Sequence, residues 1–293
     1  MDRFVVYFLN MTWLLFALVA ALCYAIADII GKYIADKKSD PILLGVLANF
    51  YAGITSLVFI FFEPIKITYA FPIFLGIAIA ALMYAVGTIT YYSSLKITPI
   101  SEFSLLTRSS AFITFLGGII FFQETLSTFQ AIGVILIITA IISLTWNGKK
   151  ISLHKGSILA LVTALVFAIG ALIDKSIYAN FSKAVYIALG YFVTTAFLLP
   201  VVPQAWKKSE TKPKLKTHLL LFTTSSLFAV AAFLVFSAYN AHGPISLTQL
   251  LTQFRIPIVV LYGFIILKER DRLPQKIIST ILLIIGSYLL QMN

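Results

Sequence analysis

Charge is scarce in this chain. Asp, Glu, Lys and Arg make up 11% of its 293 residues, where a soluble domain carries about 25%. With 60% of residues in the apolar and aromatic set and a mean hydropathy of +0.98, no soluble core of this size could hide the apolar surface, whereas a bilayer can. Cysteine is nearly absent. Cys23 stands alone inside an apolar run, so no disulfide framework exists. Histidine occurs three times, at 154, 218 and 242, and never as an HExxH pair. No Walker lysine loop is present, which excludes an ATP engine in this chain, and no aspartate cluster suggests a prenyl-phosphate Mg²⁺ site. These gaps leave a membrane enzyme as a weakly supported rival class and imply neither metal nor cofactor. The net charge of +11 does not signal nucleic acid, because the basic residues fall between apolar runs, where topology signals belong. Residues 18–23 do not make a lipoprotein cleavage site, since Leu22 precedes the cysteine and the apolar run continues. No cleaved signal peptide is expected, and Met11 is an alternative start.

The long runs do not alternate in polarity, which argues for helices over a barrel. Apolar stretches between charged or Pro/Gly breaks predict ten spans: 12–34, 41–62, 71–95, 98–122, 127–147, 156–179, 183–203, 217–240, 244–267 and 274–291. Trp13, Trp146 and Trp206 fall at span ends, the interfacial belt position.

The sequence repeats internally. Residues 17–35 (ALVAALCYAIADIIGKYIA) align without gaps on 160–178 (ALVTALVFAIGALIDKSIY), with ten of nineteen positions identical, Lys32 and Lys175 among them. Pro99-Ile100-Ser101 matches Pro244-Ile245-Ser246, Leu105-Leu106-Thr107 matches Leu250-Leu251-Thr252, and Glu124 matches Glu269. The expected fold is an all-α integral membrane protein of ten helices in two five-helix repeats, 1–148 and 149–293. An odd number of spans per repeat inverts the second, an arrangement recurrent in alternating-access carriers. The loops on one side carry sixteen Lys and Arg residues and those on the other four. The positive-inside rule makes the rich side cytoplasmic and turns both termini outward.

Residues 98–127 (TPISEFSLLTRSSAFITFLGGIIFFQETLS) and 243–273 (GPISLTQLLTQFRIPIVVLYGFIILKERDRL) resemble the two EamA repeats of the drug/metabolite transporter superfamily, and the first span with its terminal Lys32 resembles that family's first helix. The resemblance covers essentially the whole chain. It implies a secondary carrier of the cytoplasmic membrane, exporting or exchanging amino acids or related carboxylates. Phosphorylated or nucleotide-linked sugars and multidrug export are the alternatives. A channel or assembly subunit is disfavoured by the same resemblance. Two departures stand out. Phe112 occupies the place of the usual proline in the fourth span, although Pro257 keeps it in the ninth, and the termini are predicted outside where threonine exporters of the superfamily keep them inside.

Intramembrane charges mark functional positions. Arg108 and Arg255 each lie about ten residues into a span, roughly 15 Å deep, where arginine costs about 2.5–3.5 kcal/mol. Ser101, Ser104 and Arg108 form one helical stripe; Thr248, Thr252 and Arg255, flanked by Gln249 and Gln253, form another. Both stripes are candidates to line the substrate path, with the arginines attracting a carboxylate or phosphate. The plainer reading is that each arginine staples helices, for example to Glu102. Tyr24 and the Tyr84, Thr88, Tyr91 stripe are candidate pocket walls with hydroxyl handles, against ordinary helix packing. Asp28 and Lys32 stand at i, i+4, with Asp28 a candidate proton-coupling carboxylate and Lys32 otherwise snorkelling at a helix end. Asn49, Ser56, Ser237 and Asn240 are weaker candidates, adequately explained by interhelical hydrogen bonding. Glu124 and Glu269 read as structural ties to helix ends. The implied partners are a small-molecule substrate and the lipid bilayer; the oligomeric state is open.

Overall fold

The computed structural model describes residues 3–35, 40–122, 127–145, 153–209, 213–241, 248, 251–252, 254–289 and 292. Among them the chain is helical, with no strand beyond an isolated bridge between Ile67 and Phe181. The first repeat contains α1 (Arg3–Ile34), α2 (Pro41–Val58), α3 (Phe71–Ile97), α4 (Ile100–Thr107), α5 (Ser109–Phe122) and α6 (Thr128–Thr145). The second contains α7 (Lys155–Ile177), α8 (Lys183–Leu198), the short α9 (Val202–Lys208), α10 (Leu215–Asn240), α11 (Arg255–Ile265) and α12 (Leu273–Leu289). Six helical stretches among the described residues are long and apolar enough to cross a membrane. Leu22, Phe50, Leu82, Leu165, Leu261 and Ile281 point outward from different helices, an apolar exterior suited to lipid.

The ends follow familiar capping chemistry. Asp40 caps α2 by accepting from the amides of Ile42 (2.8 Å) and Leu43 (3.3 Å), with Pro41 in the first turn. His154 caps α7 through Nδ1, which accepts from Ser157 N at 2.9 Å. Lys32 reaches across to donate to the carbonyls of Leu95 (2.5 Å) and Thr98 at the end of α3, where a cation complements the helix dipole. Glu269 accepts from the amides of Ile100 (2.9 Å) and Ser101 (3.2 Å) and from the Ser101 hydroxyl, at the start of α4. The tie expected of Glu269 is therefore made; Glu124 lies outside the described residues.

The principal helix pairs are α3 with α7, α1 with α10, α6 with α12, α2 with α8, α2 with α10, α5 with α7, and α3 with α8. Small residues permit the close approaches: a Cβ on Gly87 of α3 would meet the Phe167 ring of α7 at 2.2 Å. One expectation needs correction. The fourth span is interrupted by a single tightened turn between α4 and α5, where Arg108 keeps right-handed helical angles but its N–H turns back to Leu105 O at 3.2 Å. No proline is needed, because hydroxyls serve the local carbonyls: Ser109 donates to Leu106 O (2.7 Å), and Thr107 to Phe103 O (3.0 Å) and Ser104 O (3.2 Å). The ninth span has a matching turn, Phe254 N to Leu251 O at 3.0 Å, just before α11. Pro257 sits in the first turn of α11, where its missing N–H is tolerated.

Candidate substrate site at the two helix breaks

The two interrupted spans meet. α4 packs on α11, and the C-terminal end of α11 meets the start of α4: a Cβ on Gly263 would lie 3.4 Å from Ile100 Cγ2. Glu269, just beyond, bonds the same turn of α4. The two helices therefore run in opposite directions. Arg108 and Arg255 each lie eight residues from the Ile100–Gly263 contact, about 12 Å along the chain at the helical rise.

Several polar side-chain atoms among the described residues are buried without hydrogen-bond partners. Arg108 Nε, Arg255 Nε, Ser104 Oγ and Thr248 Oγ1 are in this state, as are Thr224 Oγ1 and Ser225 Oγ on α10. Leaving such a group unsatisfied costs about 1–3 kcal/mol each, and more for charged groups. Four of these six atoms lie on the two predicted stripes. Thr252 is also buried. Gln249 and Gln253 lie outside the described residues.

Arg255 is held by two side chains of α1. Its Cζ lies 4.6 Å from the Tyr24 ring centre, a cation–π contact, and its Nη1 stands 4.0 Å from Asp28 Oδ2. Asp28 Oδ1 accepts from the Tyr91 hydroxyl at 2.9 Å, and Phe228 of α10 packs against both Tyr24 and Tyr91. Tyr24, Asp28, Tyr91 and Arg255, predicted as separate candidates, are thus one cluster. The Asp28–Lys32 pair suggested by their spacing is replaced: Asp28 turns to Arg255 and Tyr91, and Lys32 to the carbonyls ending α3. Glu102 does not staple Arg108. It accepts from Ser157 Oγ (2.7 Å) and lies 3.4 Å from His154 Nε2, and among the described residues no carboxylate pairs with Arg108.

The other members of the α3 stripe are engaged in packing. Thr88 donates to Tyr84 O (2.8 Å) and accepts from Asn49 Nδ2 (3.3 Å). Tyr84 donates to Asp174 Oδ2 at 2.5 Å, and Tyr186 to Asp174 Oδ1 at 2.5 Å. This second carboxylate–phenol cluster was missed in the sequence, although a carboxylate ending an apolar span was the available signal. Ser56 and Ser237 bond carbonyls of their own helices, and Asn240 is exposed. No group of His, Cys, Asp and Glu that could hold a metal occurs among the described residues.

A multi-pass helical membrane protein with two interrupted spans, and unsatisfied polar atoms at the breaks, has the build of a transporter. The EamA-like transporter family matches the chain twice, over residues 11–146 and 154–292. The chain belongs to that family, and is a membrane transporter of the drug/metabolite superfamily with two EamA repeats. A crystal structure described only as that of a protein is 14% identical, with a TM-score of 0.61 over 94% of each chain, a likeness of fold alone. No curated protein matches the chain.

Proposed function

We propose that this transporter carries a small carboxylate-bearing metabolite, such as an amino acid, across the cytoplasmic membrane by alternating access, in export or exchange. The observation that carries the reading is the pair of buried, unpartnered guanidinium Nε atoms at the two helix breaks. Arginine offers a planar donor set matched to a carboxylate, and the Ser104 and Thr248 hydroxyls supply further hydrogen bonds. With no ATP motif in the chain, a gradient drives transport.

The repeats divide at 1–148 and 149–293 and are related by inversion. Helix packing supports this. Exchanging the halves turns the α3–α7 pair into α10–α1, the α2–α10 pair into α8–α3 and the α5–α7 pair into α11–α1, while α2–α8 and α6–α12 map onto themselves. The substrate then sits between the repeats, which rock about it. Both termini face outward, on the strength of the sixteen-to-four bias in Lys and Arg.

Counterflow into proteoliposomes preloaded with unlabelled solute tests the reading, using labelled amino acids, organic acids, sugar phosphates, nucleotide sugars and cationic drugs. Accumulation of carboxylates, lost in Arg108→Gln and Arg255→Gln, supports it. Accumulation confined to sugar phosphates or nucleotide sugars would reassign the same arginines to phosphate. Accumulation confined to cations, unchanged in the variants, would make them structural.

A further inference from the structure

Arg255 is incompletely neutralised. Its Nη1 is 4.0 Å from Asp28 Oδ2, with the side chains 13% and 4% exposed. That separation exceeds a hydrogen bond, and Nε has no partner. Tyr24 covers one face of the guanidinium, and the buried Nε is left without a bond. Asp28 is anchored through its other oxygen by Tyr91, so Oδ2 is the atom that answers to the cation.

Among the described residues the groups facing Asp28 are few. Tyr24 lies one turn earlier on α1, α3 contributes Tyr91 and Tyr92, and α11 contributes Arg255. α10 presents Phe228 to Tyr24 and Tyr91, and α4 presents Phe103 to Tyr91. Lys32 is spent on the carbonyls of Leu95 and Thr98. Arg255 is therefore the cation that balances Asp28. An anionic ligand bonding Arg255 through its unpartnered Nε places two carboxylates on one guanidinium. Like charges sharing a site in low dielectric resolve the conflict by taking up a proton.

We infer that Asp28 is the proton-binding group of this carrier and competes with the substrate carboxylate for Arg255, so that one carboxylate travels with one proton. The inference rests on the reading of Arg255 as a carboxylate site. As the substrate takes the guanidinium, Asp28 accepts a proton from the aqueous phase and keeps its bond from Tyr91. When the substrate leaves on the far side, Asp28 releases the proton there and closes on Arg255 again. Carboxylate and proton move together and the loaded site gains no net charge. An inward proton gradient favours uptake under this coupling, so export runs down the substrate's own gradient or proceeds as exchange of one carboxylate for another.

Acetate, the smallest carboxylate, is the probe. The purified full-length protein in weakly buffered detergent is titrated with sodium acetate against sodium chloride of equal ionic strength. The titrations run across neutral pH, where acetate is ionised. Binding is read by thermal stabilisation and proton uptake by a pH indicator. Binding in the wild type is expected to consume about one proton and to weaken about tenfold per pH unit once Asp28 is ionised. Asp28→Asn, whose amide oxygen can still accept from Tyr91, is expected to bind acetate with no proton uptake and no pH dependence. Arg255→Gln is expected to bind none. Acetate binding that needs Arg255 but is pH-independent and proton-neutral in the wild type would leave the carboxylate site standing and overturn the coupling. Acetate binding in neither wild type nor Asp28→Asn would overturn the underlying site and the coupling with it. If Asp28→Asn does not fold, the wild-type proton count decides alone.

Discussion

Gly170 of α7 lies beneath the ring of Tyr84 on α3, where an added Cβ would stand 2.8 Å from the phenol Cζ. The absent side chain lets the Tyr84 hydroxyl reach Asp174, which also holds Tyr186. Gly170→Leu is expected to push the ring aside and destabilise the protein by about 1–3 kcal/mol, the usual cost of overpacking. Gly190, with nothing within 4 Å of an added Cβ, is the control: Gly190→Ala is expected to leave the thermal midpoint in detergent close to that of the wild type.

The Asp174 cluster ties α7 to both α3 and α8. Tyr84→Phe and Tyr186→Phe each remove one charge-assisted bond and are expected to cost about 1.5–3 kcal/mol. Because they share an acceptor, the double variant is expected to deviate from additivity by at least about 0.5 kcal/mol in a double-mutant cycle. Additive losses would show that the two phenols act independently.

Glu269 links the end of α11 to the start of α4 through two amides and a hydroxyl. Glu269→Ala is expected to lower stability by about 1–2 kcal/mol, the range of a lost helix cap. Glu269→Gln, which keeps an acceptor, is expected to lose less. Thermal unfolding of the three proteins in one detergent checks the order.

Tyr24 braces the guanidinium of Arg255. Tyr24→Leu is expected to weaken solute binding about 2- to 30-fold, from a cation–π contact worth about 0.5–2 kcal/mol. Tyr24→Phe keeps the ring face and is expected to stay near the wild type. Affinities from the same titration distinguish the two.

Much of the architecture was legible because each span is a long apolar run bounded by charge, and because Lys32 and Lys175, the Pro-Ile-Ser pair and the two glutamates repeat at nearly constant offset. The break at Arg108 was not legible. A proline would have announced it, but Thr107 and Ser109 do the work through hydroxyl-to-carbonyl bonds, and such hydroxyls are equally common in unbroken helices. Arg108 and Arg255 drew attention because buried charge is costly. The partner of Arg255 was hidden because Asp28 lies 227 positions away, while Lys32, one turn along the same helix, offered a more obvious match. Asp174 was overshadowed by Lys175 beside it, for the same reason: sequence proximity favours local pairs, and packing chose Tyr84 and Tyr186 from other helices.

The most direct test of the account is ligand-dependent thermal stabilisation of the purified wild type, Arg108→Gln and Arg255→Gln, against one panel of amino acids, organic acids, sugar phosphates and cationic drugs. The account predicts stabilisation of the wild type by carboxylates, lost in both variants while their ligand-free midpoints remain measurable. Stabilisation by the same solute, undiminished in both variants, would contradict it and leave the two arginines as structural groups.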